Sequence, residues 1–342
     1  MRLLVIRTSA MGDVALTLPV LKDMSEQFPE VRITLLTREA FGPFFTSFKN
    51  IDLFKPDFQK RHGGFAGLFR LFLDLKKGGH IDYVIDLHDV IRSIVLRLLF
   101  RISGVPVRKI GKGRSQKMAL VSGREKRQLK HTVERYRDVF VEAGFDLKSS
   151  DGKWLSSGPE DFSSALMKTG FSEGMNIGVA PFAMHPLKVW PEEYMVKLLK
   201  MIAERSGAKF WLFGGKDEAE ALESFQKQTP GAMSLAGKLS LGEEIALISK
   251  LDFMISMDSS NMHMAALAGT KVISIWGATD PLAGFGAWAQ PEEYSLRIPE
   301  SELTCRPCTV FGKGECRRRD HACMEWITPV RIMNNLIELK FI

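Results

Sequence analysis

Long apolar runs are absent from this sequence: none approaches the roughly 20 residues that a membrane-spanning helix needs. The start carries no signal-peptide pattern, because Arg2 and Arg7 bracket only four apolar residues. No Gly-x-Gly-x-x-Gly follows any strand-like segment, which argues against a nicotinamide-dependent oxidoreductase. These absences favour a soluble cytoplasmic protein, a compartment in which cysteines are normally reduced.

Acidic residues are scarce in one stretch of the first half. Between Arg101 and His131, ten Lys or Arg residues accompany a single acid, Glu125. Such a basic surface suits phosphates on a substrate, a lipid headgroup or nucleic acid, although a solvated loop explains it equally well. Nucleic acid is disfavoured, because no recognisable nucleic-acid motif accompanies the charge.

The 342 residues suit two domains, and strand-like segments alternate with helix-like ones along most of the chain. Predicted strands cover residues 31–36, 82–87, 176–180, 209–213, 252–256 and 271–276. Predicted helices include residues 65–75, 90–102, 132–143, 191–205 and 259–268. A serine-rich stretch over 146–174 connects the two halves. This alternation predicts an α/β fold with two doubly wound parallel sheets.

The first strand, residues 2–7, leads into the polar turn Thr8-Ser-Ala-Met-Gly-Asp13. Ligands of parallel sheets bind at the carboxyl ends of strands, so this turn is a candidate site. Asp13 opens a helix there, and helix capping is the simpler explanation of an acid in that place.

Three turns of the second half have the same placement. Lys188 stands before a helix where a cation can hold a diphosphate, although a solvated loop lysine explains it as well. Gly214 and Glu218 follow a strand, and the carboxylate suits either a ribose or a helix N-terminus. The turn Asp258-Ser-Ser-Asn-Met-His263 is suited to binding an anion. His263 could instead be a buried structural residue on the apolar helix that follows.

The set of motifs resembles the heptosyltransferases of glycosyltransferase family 9. The matching pieces are Thr8-Ser-Ala-Met-Gly-Asp13-Val, Val84-Ile-Asp86-Leu, His131-Thr-Val-Glu-Arg-Tyr136, Lys188-Val-Trp-Pro191, Asp258-Ser-Ser-Asn-Met-His263 and Gly277-Ala-Thr-Asp-Pro281. The sequence departs from the family pattern at Ser260-Asn261 and at Leu87-His88-Asp89, and the second departure bears on the acceptor.

The resemblance implies a GT-B fold, with two Rossmann-like domains facing a central cleft. It implies an acceptor-binding domain over residues 1–160 and a nucleotide-sugar-binding domain over residues 161–327. A C-terminal helix, residues 328–342, would pack back on the first domain. The implied function is inverting, metal-independent transfer of a heptose from ADP-heptose to a phosphorylated lipopolysaccharide inner-core acceptor, without a cofactor. It places the enzyme in the cytoplasm or peripherally on the inner face of the inner membrane.

The resemblance also assigns residues. Asp13 would be the catalytic base, with Lys188 on the donor diphosphate. The other predicted donor-binding residues are Thr8, Ser9, Met11, Gly12, Trp190, Gly214, Glu218, Asp258, Ser259, Ser260 and His263. The predicted acceptor-binding residues are Lys60, Arg61, Asp86 and Arg114. Alternatives are a GT-B transferase or epimerase acting on another nucleotide sugar, or a non-catalytic protein that binds lipid or a polyanion.

Four cysteines lie near the end of the sequence, with His321 among them: Cys305, Cys308, Cys316 and Cys323. Their spacing is compatible with a zinc knuckle, but it does not match a recognised finger pattern. Reduced thiols, a disulfide and a zinc site all remain open from the sequence.

Overall fold

The computed structural model describes all 342 residues and divides the chain into two compact units. The first comprises residues 1–112 and 132–154, and the second comprises residues 113–131 and 155–342. The sequence-based boundary at 160/161 differs from this division, and so does the placement of 113–131 in the first domain. Contacts distant in sequence explain the second difference: the Leu129 N–H, for example, donates to the Leu282 carbonyl at 2.8 Å.

The first unit is built on a five-stranded parallel sheet with the order β3-β2-β1-β4-β5. Its strands are β1 (Arg2–Ile6), β2 (Arg32–Leu36), β3 (Ile51–Phe54), β4 (Tyr83–Asp86) and β5 (Val107–Lys109). The central strand β1 buries Leu3 to Ile6, as expected for a strand covered on both faces.

The second unit is built on a six-stranded parallel sheet with the order β11-β10-β9-β6-β7-β8. Its strands are β6 (Asn176–Ala180), β7 (Lys209–Leu212), β8 (Ala232–Ser234), β9 (Phe253–Met257), β10 (Lys271–Trp276) and β11 (Ser295–Arg297). The central strands β6 and β9 are buried along their whole length.

Thirteen α-helices connect and flank the strands. They are α1 (Met11–Ala15), α2 (Leu18–Gln27), α3 (Gly64–Lys77), α4 (Ile91–Ile102), α5 (Arg114–Val121), α6 (Thr132–Glu142), α7 (Pro159–Thr169), α8 (Glu192–Ser206), α9 (Ala219–Gln228), α10 (Leu241–Ile248), α11 (Ser260–Leu267), α12 (Ala322–Glu325) and α13 (Pro329–Glu338). No helix combines the length and the apolar character needed to cross a bilayer. The predicted α/β fold class with two doubly wound parallel sheets is confirmed.

The last helix differs from its predicted placement. Thr328 caps α13 by accepting the N–H of Arg331, and Pro329 occupies the first turn, where its missing N–H does no harm. The apolar side of the helix, with Ile332 and Leu336, is buried in the core of the second unit. The family resemblance implies packing on the first domain instead. Helical spacing alone shows that the helix has an apolar face, but it does not show what covers that face.

Candidate active site

Asp13 lies at the carboxyl end of β1, within the first turn of α1. The residue at the N-cap of that helix is Ala10, which has no side-chain capping bond. Capping therefore does not account for Asp13, although a carboxylate in the first turn is still favourable toward the helix dipole.

The carboxylate of Asp13 is paired with a buried arginine at the end of the same strand. Arg7 Nη2 lies 2.6 Å from Asp13 Oδ2, and Arg7 Nη1 donates to the Leu87 carbonyl at 2.6 Å. The side chain of Arg7 is 7% exposed and that of Asp13 is 32% exposed. The guanidinium is therefore fixed by the protein, and the carboxylate it orients remains open to a ligand.

Tyr136 of α6 supports the same turn from behind. Its hydroxyl donates to the backbone carbonyl of Asp13 at 3.2 Å, and the Arg7 guanidinium lies 5.7 Å from the centre of its ring. Burial raises the pKa of Tyr136, so the hydroxyl stays protonated as a donor. The sequence places Tyr136 in a matching motif without a role, and the structure supplies one.

His88 is a second residue of this region that the sequence did not assign. Its Nδ1 lies 3.1 Å from Thr8 Oγ1 and its Nε2 lies 3.3 Å from Ser9 Oγ. Burial lowers the pKa of His88 to about 4, with the positive charge of Arg7 as the next cause. The imidazole is therefore neutral near pH 7. The only signal in the sequence was that His88 stands where the family pattern differs.

Asp86 is an acceptor-binding prediction that the structure contradicts. Its carboxylate is fully buried and accepts the backbone N–H groups of His88 at 2.8 Å and Asp89 at 3.0 Å. Arg97 Nε lies 3.1 Å from its other oxygen. The carboxylate shapes the β4–α4 turn, and no surface of it is available to an acceptor.

The basic residues predicted to bind the acceptor lie in two different units. Lys60 and Arg61 lie in an exposed turn of the first unit, where Arg61 makes two hydrogen bonds to Asp74 at 2.8 and 2.9 Å. Arg114 begins α5, which belongs to the second unit. The prediction grouped these residues on one domain, and the structure does not.

In the second unit, Lys188 and Asp258 come together. Lys188 ends a short 3-10 turn after β6, and Asp258 directly follows β9. Lys188 Nζ lies 2.7 Å from Asp258 Oδ2, which also accepts the Thr279 hydroxyl at 2.9 Å. The solvated-loop interpretation of Lys188 is wrong, because its side chain is only 16% exposed. Asp258 orients the ammonium group.

The start of α11 completes this edge of the sheet. Ser259 is the N-cap and Ser260 the first helical residue, and Ser259 Oγ lies 3.2 Å from Ser256 Oγ. His263 is buried on the same helix, as the structural interpretation anticipates. The backbone N–H groups of the first turn and the nearby Lys188 make this terminus suitable for an anion.

A glycine loop lies against the side chain of Lys188. Gly312 has φ of +79°, and a Cβ placed on it would lie 2.7 Å from Lys188 Cγ. The backbone of the loop is thus packed on the lysine's aliphatic chain. Nothing in the sequence around Gly312 indicated this approach, since the loop lies more than a hundred residues from Lys188.

Glu218 adopts the local role that the sequence left open. Its Oε2 accepts the N–H of Gly215 at 2.7 Å, and a Cβ on Gly214 would lie 2.7 Å from the same oxygen. The carboxylate thus fastens its own turn after β7.

A model of glycosyltransferase family 9 (heptosyltransferase) matches residues 68–311. The chain belongs to this family. It is a glycosyltransferase. The lipopolysaccharide core heptosyltransferase OpsX of Haemophilus influenzae is 27% identical over 296 residues, which are 82% of this chain and 80% of that relative.

Two solved structures share the fold of this glycosyltransferase over nearly its whole length. The family 9 glycosyl transferase of Veillonella parvula has a TM-score of 0.78 at 20% identity, and the match covers 99% of this chain and 96% of that protein's chain. The Escherichia coli ADP-heptose lps heptosyltransferase II has a TM-score of 0.70 at 18% identity, with 99% and 98% covered. The predicted GT-B fold class is confirmed.

Trp190 is a donor-binding prediction that needs correction. The side chain is 1% exposed, and its indole N–H donates to the Ile327 carbonyl at 2.8 Å. The ring is packed in the core of the second unit. Trp190 follows Lys188 closely in the sequence because the buried ring anchors the loop that carries Lys188.

The four cysteines of this glycosyltransferase line one small cavity together with Arg306 and His321. None forms a disulfide, and no group of three or more His, Cys, Asp or Glu side chains is arranged to hold a metal ion. Burial raises the pKa of Cys323 to about 12 and also raises that of Cys308. Both thiols are thus protonated near pH 7.

Arg306, which the sequence did not single out, braces the turn after β10. Its guanidinium lies 3.0 Å from Asp280 and donates to the carbonyls of Gly277 at 3.1 Å and Thr279 at 3.0 Å. Because the Thr279 hydroxyl donates to Asp258, Arg306 indirectly supports the carboxylate that is paired with Lys188.

Proposed function

We propose that this enzyme transfers a heptose from ADP-heptose to the inner core of lipopolysaccharide, with inversion at the anomeric carbon. The observation that carries the proposal is the Asp13 carboxylate, oriented by Arg7 at 2.6 Å and still a third exposed. Family membership and relatives named as lipopolysaccharide and lipooligosaccharide heptosyltransferases support the sugar and the acceptor class.

Asp13 is the general base in this proposal. Its carboxylate takes the proton of an acceptor hydroxyl while that oxygen bonds to the anomeric carbon. The bond from that carbon to the diphosphate breaks, and ADP leaves with the electron pair. A positioned general base contributes about 10²–10⁴-fold to such a step. Lys60 and Arg61 are the acceptor-phosphate candidates that remain exposed in the first unit.

The second unit holds the donor. Lys188 neutralises the diphosphate, whose negative charge grows as the bond breaks, and the N–H groups at Ser259 and Ser260 donate to it. Asp258 and Thr279 position the ammonium group of Lys188. The proposed step uses these fixed hydrogen-bond donors and includes no metal ion.

The acceptor in this proposal is a phosphorylated glycolipid, so the enzyme works peripherally at the inner face of the inner membrane. The positively charged side chains of Lys60 and Arg61 suit the phosphates of such an acceptor. Nucleic acid is not part of the proposal.

The test is a panel of nucleotide sugars, first by thermal stabilisation and then by release of nucleoside diphosphate. We expect ADP-heptose to stabilise the protein more than UDP-, GDP- or dTDP-sugars do. Release of ADP should depend on a heptose-deficient lipopolysaccharide acceptor and persist in EDTA. The product linkage, read by NMR, should have the configuration opposite to that of the donor.

Each part of the proposal has its own contrary result. Stabilisation and turnover by a different nucleotide sugar would replace the donor. Retention of configuration would exclude single displacement with Asp13 as the base. Loss of activity in EDTA, restored by a divalent cation, would contradict the metal-free step.

A further inference from the structure

Helices α3 and α4 lie side by side in the first unit. Their inner faces share one core, in which Phe72 and Phe100 meet edge to face with ring centres 4.9 Å apart. Leu68, Leu71 and Leu75 complete the inner stripe of α3 at helical spacing. These inner contacts account for the packing of both helices and leave their outer faces to be explained.

The outer faces of both helices are apolar. The exposed side chains, with their exposed fractions, are Phe65 (76%), Phe69 (50%) and Leu73 (41%) on α3, and Ile91 (73%), Ile94 (46%), Leu98 (56%) and Ile102 (76%) on α4. Spacings of three and four residues align each set into one stripe. Seven of the protein's 17 large exposed apolar residues are thus concentrated on two adjacent helices. We call these seven residues the α3–α4 face.

The charges beside the α3–α4 face have one sign. The exposed charged residues of the two helices are Arg70, Lys76, Lys77, Arg92 and Arg101. The only acid on either helix is Asp74, which is 17% exposed and already paired with Arg61 at 2.8 Å, His62 at 3.2 Å and, more weakly, Lys77 at 3.8 Å. An apolar stripe bordered by cations matches a surface that presents acyl chains and anionic groups together.

We propose that the α3–α4 face binds the surface of an anionic lipid bilayer. The apolar side chains enter the boundary between headgroups and acyl chains, and the five cations pair with lipid phosphates. A second copy of this chain fits less well, because a two-fold contact would bring the same positive border against itself. This inference rests on the peripheral membrane location in the proposed function and deepens it, because it names the surface that contacts the lipid.

One end of the α3–α4 face lies near the sheet edge that bears Asp13. Helix α4 begins directly after the carboxyl end of β4, and β1, which leads to Asp13, pairs with β4 in parallel. Ile91, among the most exposed residues of the face, therefore lies toward the sheet edge that bears Asp13. The face extends from there to Ile102 at the other end of α4, which is 76% exposed.

Co-sedimentation of the full chain with vesicles tests the proposal. One set is phosphatidylcholine alone, and the other contains about 30% phosphatidylglycerol, with no glycolipid acceptor in either. We expect binding to the anionic vesicles only, and weakening of this binding when NaCl rises from about 0.1 M to about 0.5 M. The double variant Phe69→Glu/Leu98→Glu should lose roughly tenfold or more in partitioning. Arg101→Glu should bind more weakly than wild type.

Met167→Glu is the matched control, because Met167 is 81% exposed on α7 of the second unit. It should sediment with vesicles as wild type does, and circular dichroism should show all variants folded. Wild type that stays in the supernatant, or equal binding by the double variant, would overturn the proposal. So would wild-type dimers without lipid that the double variant converts to monomers. Release of ADP with a delipidated acceptor is measured separately, so failure of the transferase proposal would leave the vesicle result standing.

Discussion

Arg7 and Asp13 form an ion pair in which the arginine is buried and the aspartate is partly open, with Nη2 and Oδ2 2.6 Å apart. The arginine is held from the other side by the Leu87 carbonyl, so it is a fixed reference for the carboxylate. A carboxylate oriented in this way is positioned to accept a proton without first reorganising.

Asp13→Asn tests the base directly. The amide keeps the size of the side chain but accepts no proton at neutral pH, so we expect kcat to fall by about 10²–10⁴-fold. ADP affinity should stay near wild type, because the proposed donor groups lie in the other unit. Thermal stability should fall, because asparagine leaves the buried Arg7 guanidinium without its carboxylate partner, and circular dichroism should still show a folded variant. Asp52→Asn is the control, since it removes only a surface carboxylate 3.2 Å from Arg32. Turnover near the wild-type rate in Asp13→Asn would exclude the assigned role.

Lys188→Gln should weaken binding of the diphosphate. We expect the Kd for ADP to rise roughly 10- to 100-fold, which corresponds to about 1.4–2.7 kcal/mol. Binding of adenosine should change little, because adenosine lacks the diphosphate that Lys188 is proposed to bind. Isothermal titration with both ligands measures the difference. The exposed Lys200→Gln on α8 controls for net charge, and equal losses for ADP and adenosine would contradict a diphosphate role.

The central strands and their helices could be predicted because buried parallel strands are runs of branched residues, such as Lys271–Trp276. The strands that the sequence did not predict are β3, β5, β8 and β11, which have only three or four residues. Val107–Lys109 contains two exposed basic residues, so no hydrophobic pattern marks it. Its pairing with β4 is what makes it a strand.

The site could be predicted as turns but not as contacts. Asp13, Lys188 and Asp258 follow strands in the sequence, so their places at sheet edges were evident from local pattern. Trp190 was misassigned because its hydrogen-bond acceptor, Ile327, lies far along the chain. Asp86 was misassigned for a related reason, since full burial of a carboxylate depends on partners such as Arg97 that no motif marks.

His88 should make stability depend on pH. Its pKa is lowered to about 4 by burial and by Arg7, while an unfolded histidine titrates near its usual 6.5. As pH falls from about 6.5 to about 4, the His88 imidazole is therefore protonated in the unfolded state but still neutral in the folded state. Stability is lost over that window, by about 2 kcal/mol between pH 7 and pH 5.

The comparison of wild type with His88→Asn isolates this effect. Urea unfolding at pH 7 and at pH 5 should show a smaller loss of stability for the variant. His131, whose pKa is also lowered to about 4, chiefly by burial, is present in both proteins and cancels. Equal losses in the two proteins would mean that His88 titrates alike in the folded and unfolded states.

Gly312→Ala tests whether the packing of one loop on Lys188 matters for donor binding. Its φ of +79° disfavours any side chain, and the new methyl group would lie 2.7 Å from Lys188 Cγ. Gly314→Ala is a matched control, because its φ of +97° carries comparable strain but no atom lies within 4 Å of the added Cβ. We expect Gly312→Ala alone to raise the Kd for ADP several-fold, approaching the Lys188→Gln value. If both alanine variants lose stability equally and ADP affinity equally, backbone strain explains the result and the contact with Lys188 does not.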